Sequence, residues 1–568
     1  MNVVGIHDTG INSSVALAID GRLTYGYLEE RLSRRKYDKA FPHKALEKIL
    51  ALSGLTYEDV DIFAVSWNPA INIADRYRAG FSDWPAYPGH RFSSNANHLL
   101  PLLENKKFST TEQIFGVEGR APYRISYVSH HMTHAANAFW GSGFDEAVIF
   151  TCDGYGEKSS TCWFHGNENT IKPLGQIQFP HSIGMFYSTM TEYLGFRPYL
   201  DEWKLMGAAA YGNSEEYLKP IRALFQSIDG VQFALNLDYF QFYNFDSKTT
   251  YTDKLLSVLG TARGADEGMV KRHFDIAAAV QRVTEEYFLG AAKDLKAKTG
   301  VKNLCLSGGA AMNSVVNGLI ANNGIFENVF IPFAPDDSGN SIGAALCVSA
   351  QNGSPVDRKL AAMPFLGKDY SEEEILNQFV TSKLSPCKPI DIALTAAQLL
   401  ADGKILGWFQ GRMEFGQRAL GCRSILADPR NADMKDLINK AVKFRESFRP
   451  FAPAVLDKFV NQWFEISYPM TSPYMEKVVK IKPDLVNRVP AIVHADGSCR
   501  LQTVTEALTP EFFTLISAFN KITGVPMLLN TSFNLNNEPI VESPADAIRT
   551  FFSSGLDVLI IGPYLLKK

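Results

Sequence analysis

The chain has 568 residues, which at about 150 per domain predicts two to four domains and excludes a small scaffold or single binding module. Lys plus Arg number 56 against 60 Asp plus Glu, so the formal charge of −4 gives no general pull toward nucleic acid or anionic lipid. With 46% apolar and 20% charged residues, the composition is that of a globular enzyme with large cores and little disorder.

The cysteines Cys152, Cys162, Cys305, Cys347, Cys387, Cys422 and Cys499 are odd in number and at least 10 residues apart. Neither a disulfide framework nor a CxxC zinc knuckle is legible in them, and a reducing, cytoplasmic setting is expected. No charged start precedes an apolar core at the N-terminus, and the most apolar stretch, Leu556 to Leu566, is interrupted by Gly562-Pro563. No leader and no membrane partner is expected.

In chain order, strand signals run from Val3 to His7, Val15 to Ala18 and Leu23 to Leu28, with a turn at Asp20-Gly21. A helical stretch from His43 to Leu52 closes at Gly54. Three later apolar runs each lead into a small-residue loop. Ala147 to Cys152 enters Asp153-Gly154, Leu304 to Leu306 enters Ser307-Gly308-Gly309, and Val329 to Ile331 enters Asp336-Asp337-Ser338-Gly339. Three strand ends facing one crevice is where open α/β sheets bind ligands. A long helix is expected from a cap at Asp275 to Thr299, before Gly300. Asn352-Gly353-Ser354-Pro355 follows a small-residue helical run, and the domain boundary is placed there, giving domains 1–355 and 356–568. Beyond it, Ser371 to Val380 reads as a capped helix, and Ile405 to Phe409 and Pro526 to Leu529 as strands.

The strongest local signal in the first domain is His130-His131-Met132-Thr133-His134. On a helix, positions i and i+4 are about 40° apart around the axis, so His130 and His134 can face one cation while His131 points elsewhere. Asp153 and Asp337, at strand ends, can add carboxylates and leave coordination sites open. Such a mixed shell suits iron, manganese or zinc in a Lewis-acid role. The bland alternative is a satisfied histidine pair in a core. Gly308-Gly309 with Asn313, between a strand and a helix, suits close backbone approach by a nucleotide. Asp153-Gly154-Tyr155-Gly156-Glu157 is a second glycine turn; each alone is more often a plain turn.

In the second domain the run from Gly411 to Ser424 carries Arg412, Arg418 and Arg423 among glycines, and Lys443, Arg445 and Arg449 follow within a helix length. Guanidinium groups match phosphate or carboxylate in bidentate geometry, so these loops point to a small anionic substrate. The alternative, a solvated charged face, is weakened by the interspersed glycines. Arg500, and Asn530-Thr531-Ser532-Phe533-Asn534 after a strand, add further anion donors.

Taken together, these segments resemble the O-carbamoyltransferase family, which includes the nodulation protein NodU and antibiotic carbamoyltransferases of the TobZ type. The resemblance runs nearly end to end. It rests on Glu29-Glu30-Arg31-Leu32-Ser33-Arg34-Arg35-Lys36 with Phe41-Pro42, the HHxxHA segment, Asp153-Gly154, His181 to Tyr187, Glu202-Trp203-Lys204-Leu205-Met206-Gly207 and Ser307-Gly308-Gly309. In the second half it rests on the GRMEFGxRALGxRSILADPR segment, Phe444-Arg445, Phe448 to Phe451, and Leu529 to Asn534.

The resemblance implies an α/β protein of two domains. The first is an actin-like ATPase (ASKHA, Kae-like) domain for carbamoyl transfer, and the second a YrdC-like α/β domain that makes carbamoyladenylate from carbamoyl phosphate and ATP. It implies Mg²⁺ with ATP in the second domain. In the first it implies a divalent ion, iron(II) foremost with manganese or zinc as alternatives, on His130, His134, Asp153 and Asp337. It places substrate contacts on Arg418, Arg449, Arg500 and Ser532, with Arg423 in the same loop; on the residues' own chemistry, Gly154, Gly156, Gly308, Gly309, Asn313 and Asn530 are the candidate nucleotide contacts. The partners are then carbamoyl phosphate and a small hydroxylated metabolite, such as an antibiotic precursor, with no nucleic acid and no membrane. A homodimer is compatible with this, although no self-complementary surface is legible. Because carbamoyladenylate hydrolyses in water, a closed passage between domains is expected.

Family members carry a His-Asp pair before the Ser-Ala segment of the first hairpin, whereas this chain reads Ile11-Asn12-Ser13-Ser14. His7-Asp8, four residues earlier, is the expected substitute, with Lys36 as the matching basic residue. The alternative for His7 is a buried strand histidine. Two other readings remain: a nucleotide-binding regulator with a degenerate transfer site, and a HypF-like maturation carbamoyltransferase, which the missing CxxC pairs disfavour. Aromatic stretches at Phe81 to Pro88, with Trp84 and Tyr87, and at Tyr239 to Tyr243 are candidates for the acceptor pocket.

Overall fold

Alternation of apolar and small residues at the N-terminus builds a six-stranded sheet from β1 (Asn2–His7), β2 (Ser14–Ile19), β3 (Arg22–Leu28), β4 (Ile62–Val65), β5 (Thr110–Phe115) and β6 (Tyr123–Val128). Their order is β3-β2-β1-β4-β6-β5, with β1, β4 and β6 mutually parallel. Asp20 and Gly21 both take positive φ, 49° and 75°, the turn whose twist suits a two-residue hairpin. The computed structural model describes residues 1–71, 110–116, 119, 122–244, 246–443 and 451–568.

A second sheet contains β7 (Glu146–Cys152), β8 (Ser159–Asn167) and β9 (Thr170–Gln178), and a short hairpin follows from β10 (Phe225–Asp229) and β11 (Gln232–Leu235). β12 (Asn303–Ser307) and β13 (Asn328–Phe330) complete the second sheet in the order β13-β12-β7-β8-β9. β12 pairs in parallel with both β7 and β13, so the loops after all three strands leave the same end of the sheet. The helices His130–Ser142 and Asn340–Gln351 pack on each other, and the second also packs on β1. Both contacts require glycine. A Cβ on Gly343 would lie 1.8 Å from the Thr133 carbonyl oxygen, and one on Gly5 would lie 1.8 Å from that of Ser341.

The long helix begins earlier than expected, at Lys271, and runs to Thr299, with Gly300 left-handed at its end. Asp275 is not its cap. The ring nitrogen Nδ1 of His273 accepts the Val270 N–H at 3.2 Å, a capping contact that a search for Ser, Thr, Asp or Asn misses, and Asp275 instead accepts the Asn213 N–H at 2.7 Å.

The remaining sheet has eight strands: β14 (Leu406–Phe409), β15 (Arg423–Ala427), β16 (Ala452–Leu456), β17 (Lys477–Lys480), β18 (Ser498–Val504), β19 (Met527–Ser532), β20 (Val558–Ile561) and β21 (Tyr564–Lys567). Their order is β17-β18-β16-β19-β15-β14-β20-β21. Helices Ile392–Ala401 and Pro510–Thr523 pack together over it, burying Ala396, Leu400, Leu515 and Phe519 with Leu528 and Trp408 in one core. Burying each of the larger side chains contributes about 1.5–3 kcal/mol.

Packing divides the described chain into two compact units. The first comprises Met1–Gly26, Lys39–Asn313 and Ile325–Ala362, and the second Tyr27–Asp38, Ser314–Gly324 and Met363–Lys568. The second unit thus takes two segments from the N-terminal part of the sequence. Helix Ser314–Ala321 lies on β17, where a Cβ on Gly318 would meet the Val478 carbonyl at 1.9 Å, and Arg31 donates from Nη2 to the Gly416 carbonyl at 2.6 Å. Among the described residues, no helix is long and apolar enough to cross a membrane.

Candidate functional site

In the first unit, His130 and His134 fall one turn apart at the start of the His130–Ser142 helix, Asp153 directly follows β7, and Asp337 opens the turn before helix Asn340–Gln351. These four residues converge, each offering one ligand atom within 4.8 Å of the others. The two Nε2 atoms are 3.2 Å apart and lie 3.0 and 2.9 Å from Asp153 Oδ2. Asp337 Oδ1 is 3.4 Å from both, and it is buried without a hydrogen-bond partner. Metal–ligand bonds of about 2.0–2.2 Å with angles near 90–109° space neighbouring ligand atoms by about 2.8–3.6 Å, so the donor set fits a single divalent cation.

The electrostatics fit too. Burial alone would raise the Asp153 carboxyl, but hydrogen bonds from His130 and His134 outweigh it and hold the group well below the usual carboxylate range. Asp337 moves oppositely, pushed well above its ordinary value by burial first and by the charge of Asp153 second. Two carboxylates so close in a dry site need a positive partner to stay ionised together.

Supporting contacts fix this arrangement. Asp153 Oδ1 accepts the Gly154 and Gly309 N–H groups at 2.7 and 3.3 Å. Glu157 Oε1 accepts the His130 and Asn68 N–H groups at 2.9 and 2.8 Å, tying the helix N-terminus to two loops. Asn340 Nδ2 approaches His134 Nε2 at 3.2 Å, and Trp67 stands edge-on to His130 with ring centres 5.6 Å apart. His131 faces away as its spacing predicts, with Nδ1 2.9 Å from Thr151 Oγ1 and Nε2 2.9 Å from the Ser159 carbonyl. Sequence reasoning missed Glu157, Asn340 and Trp67. Glu157 alone had a signal, as the last residue of the glycine turn after Asp153.

His7 is fully buried at the end of β1, its Nδ1 2.8 Å from Ser66 Oγ. Its Nε2 lies 4.0 Å from Asp337 Oδ2 and has no hydrogen-bond partner. Burial, followed by the charges of His130 and His134, lowers its pKa well below the ordinary imidazole value. Asp8 is exposed, and its charge raises the Tyr127 phenol after burial does. Lys36 is exposed within the segment that belongs to the second unit, its Nζ 5.3 Å from the Tyr37 ring centre. In the departing stretch, Asn12 and Ser13 are buried with side-chain oxygens lacking hydrogen-bond partners, while Ser14 Oγ donates to the Ser338 carbonyl at 2.8 Å.

The predicted glycines have intramolecular reasons as well. Gly308 has φ +90°, and a Cβ there would lie 2.1 Å from the Cys152 carbonyl; at Gly309 it would lie 2.8 Å from Asp153 Oδ1. Gly154 supplies an N–H to Asp153, and a Cβ on Gly156 would crowd His131 and His130 at 3.1 and 3.2 Å. Asn313 exchanges side-chain hydrogen bonds with Gln281 at 2.9 and 3.3 Å. Of the aromatic candidates, Phe240 and Phe242 are core residues, and Phe81 to Pro88 lies outside the described residues.

In the second unit, strand register gathers the predicted groups at one end of the sheet. Arg423 opens β15 opposite Phe409, Ser424 faces Ser532 on β19, Asn530 faces Ala452 on β16, and Arg500 faces Val478 near the start of β18. The loop carrying Arg418 is pinned there. Asn530 Nδ2 donates to the Ala419 carbonyl at 3.2 Å, and Gln502 Nε2 to that of Leu420 at 2.8 Å. Glu414 Oε1 accepts the N–H groups of Leu420, Cys422 and Arg423 at 2.9, 2.7 and 3.1 Å, so an internal carboxylate fills the loop's backbone nest. Lys443 Nζ is buried, donating to Ser532 Oγ at 3.2 Å and Asn534 Oδ1 at 2.7 Å. Arg423 is also buried, its guanidinium 3.4 Å from the Phe409 ring centre and its Nη1 on the Gln410, Gly411 and Cys422 carbonyls. That use braces the loop, while Nε and Nη2 remain without hydrogen-bond partners. Arg445 and Arg449 lie outside the described residues.

Residues 2–346 match the family model for the carbamoyltransferase N-terminus, and residues 397–568 match that for the carbamoyltransferase C-terminus. The chain belongs to the carbamoyltransferase family. It is accordingly an enzyme of that family, built as a mixed α/β protein. Among the carbamoyltransferase's relatives, the uncharacterized protein sll1178 of Synechocystis sp. is 35% identical over 100% of this chain and 97% of its own length. The nodulation protein NolNO of Sinorhizobium fredii is 35% identical over 100% of this chain and 80% of its own. Of solved structures, T. kodakarensis HypF aligns at 13% identity over 64% of this chain and 49% of that one, with a TM-score of 0.30.

Proposed function

We propose that the chain is an ATP-dependent O-carbamoyltransferase that works in two steps, one in each unit. In the second unit, carbamoyl phosphate, ATP and one water give carbamoyladenylate, pyrophosphate and phosphate. In the first, actin-like unit, an acceptor alcohol of a small hydroxylated metabolite attacks the carbamoyl carbon, the bond to the AMP phosphate oxygen breaks, and the carbamate ester and AMP leave.

The observation that carries this reading is the convergence of His130, His134, Asp153 and Asp337 beside the C-terminal end of β7. A divalent ion held by these four residues would supply Lewis acidity to the carbamoyl carbonyl. His7 Nε2, buried, without a partner and kept neutral by its surroundings, accepts the acceptor's hydroxyl proton, while Ser66 fixes the ring through Nδ1. Trp67, edge-on to His130, limits water on that side of the site. In the second unit, Arg418 and Arg500 offset the repulsion between carbamoyl phosphate and ATP, Mg²⁺ accompanies the nucleotide, and Arg449 joins them by resemblance. Ser532, held by Lys443, and Asn530 line the same sheet end.

The test is direct. Incubation with carbamoyl phosphate, ATP and Mg²⁺ yields pyrophosphate without acceptor, and an acceptor panel yields AMP and a product heavier by one carbamoyl group on mass spectrometry. No pyrophosphate under reducing, metal-replete conditions would overturn the reading.

A further inference from the structure

One polar side chain beside the four convergent residues has a buried atom with nothing to bind. Asn340, at the start of helix Asn340–Gln351, is fully buried, and its Oδ1 lacks a hydrogen-bond partner. Its Nδ2 lies 3.4 Å from His130 Nδ1 and 3.2 Å from His134 Nε2. Among the described residues, Asn340 is the one hydrogen-bonding neighbour of His130 Nδ1. The amide is held there from several sides. A Cβ on Gly339 would lie 2.0 Å from the Ala334 carbonyl oxygen, which accepts from Asn137 Nδ2 on the His130 helix at 2.8 Å. Ser341 Oγ accepts from Ser14 Oγ at 2.8 Å, and Gly343 is packed on the Thr133 carbonyl.

Tautomer chemistry decides what this amide can do. A neutral imidazole carries one proton, so a ring that offers its Nε2 lone pair to a cation carries its hydrogen on Nδ1. His130 Nε2 is the atom inside the donor cluster, 3.0 Å from Asp153 Oδ2 and 3.4 Å from Asp337 Oδ1. Its Nδ1 is then a donor and needs an acceptor. The two ends of an asparagine amide have nearly the same shape, and a half-turn about the last side-chain torsion exchanges them. The turned amide presents its oxygen to the His130 Nδ1–H, and the orphaned carbonyl gains a partner. With the nitrogen end forward, the amide N–H would instead engage the His134 Nε2 lone pair that a cation needs. A residue kept only to fill the core would be apolar, since a buried carbonyl without a donor is unfavourable in a way that a leucine is not.

We infer that Asn340 is a positioning residue of the metal centre: its side-chain carbonyl accepts the His130 Nδ1–H and fixes the tautomer and ring plane in which His130 Nε2 faces the cation. The inference rests on His130, His134, Asp153 and Asp337 being that centre. Imidazoles that bind metal typically donate their other N–H to a carboxylate, a carbonyl or water, which sets the ring's orientation and raises its basicity as a ligand. An amide carbonyl does this without adding a third negative charge beside two buried carboxylates. The two rings are held unequally. His134 Nδ1 is buried without a partner, so His130 is the ligand whose orientation depends on a neighbouring side chain.

The experiment uses zinc(II), diamagnetic and redox-silent, as the probe on the full chain carrying isotopically labelled histidine. Affinity is read by competition with a chromophoric chelator, and ring tautomers by long-range proton–nitrogen correlation spectra of the zinc-loaded protein. Asn340→Leu is expected to bind zinc(II) about 10–100-fold more weakly than the parent and to lose one protected Nδ1–H resonance. Asn340→Asp restores an acceptor, so it should keep that resonance and bind no more weakly than the parent, a rescue that a merely space-filling asparagine would not give. Should the leucine variant fail to fold, Asn340→Ala carries the same expectations. Parental affinity in the leucine or alanine variant, an unchanged set of Nδ1–H resonances, or an aspartate variant as weak as the leucine one overturns the inference. His134→Ala reports on the underlying reading alone: it should weaken zinc(II) by more than about a hundredfold whatever Asn340 does, and a parent chain that binds no zinc(II) overturns the metal centre itself.

Discussion

The two units gather their candidate site groups by different means. In the first, helix spacing sets two imidazoles side by side, and close helix and strand approach through Gly343 and Gly5 brings distant carboxylates to them, giving a small, buried, acid-rich centre. In the second, no single element carries the set. Sheet register brings Ser532 and Asn530 of β19 and Arg500 of β18 to one end, and the Arg418 loop is tied over that end by Asn530, Gln502 and Glu414. A compact donor cluster suits a cation and polarisation of a carbonyl, whereas donors spread along a sheet end suit long polyanionic substrates. The contrast predicts that damage in one unit leaves the other's chemistry intact.

The largest expected effect is a reciprocal one. His134→Ala should lower carbamoyl transfer by more than about a hundredfold, exceeding the loss of an outer metal partner, while acceptor-independent pyrophosphate release is unchanged. Arg418→Ala should do the reverse, lowering pyrophosphate release by about 10–100-fold, as expected for losing a charged hydrogen bond worth about 1.5–3 kcal/mol. If either substitution abolishes both activities in a folded protein, the division of labour fails. A middling effect is expected at Glu157. Glu157→Gln keeps the shape but weakens the carboxylate's hold on the His130 helix, and bound divalent metal measured by plasma mass spectrometry after dialysis should fall by about tenfold.

The smallest effect concerns stability in acid. Asp496 has its carboxyl held down at about 2: burial opposes this, but bonds from His494 and Ser498 prevail. A depressed folded value means the stabilisation is complete above the unfolded value near 4 and is lost as pH falls toward 2. Between those limits the thermal midpoint of Asp496→Asn should fall less steeply than the parent's.

Much of this was legible before any coordinates. Asp20-Gly21 announced its hairpin, Gly54 and Gly300 their helix ends, and Ser371 its cap, because each carries a local backbone requirement. The four metal-ligand candidates were legible because one pair shares a helix face and the other two fall in small-residue loops that follow apolar runs. What stayed hidden was non-local. Arg423 reads as an anion donor until its stacking on Phe409 and its carbonyl partners are seen, and Glu157 reads as the tail of a turn until the His130 N–H is placed on it.

The two N-terminal insertions into the second unit constrain how this protein can be cut. A fragment starting at Met363 lacks helix Ser314–Ala321, so β17 loses the cover against which Gly318 fits, and the Gly416 carbonyl loses the donor supplied by Arg31. During synthesis, the C-terminal sheet reaches its final form only with residues that left the ribosome hundreds of positions earlier. The proposed division of labour between the units would therefore not be matched by divisibility of the gene, and supplying the missing pieces in trans is the condition for studying the second half alone.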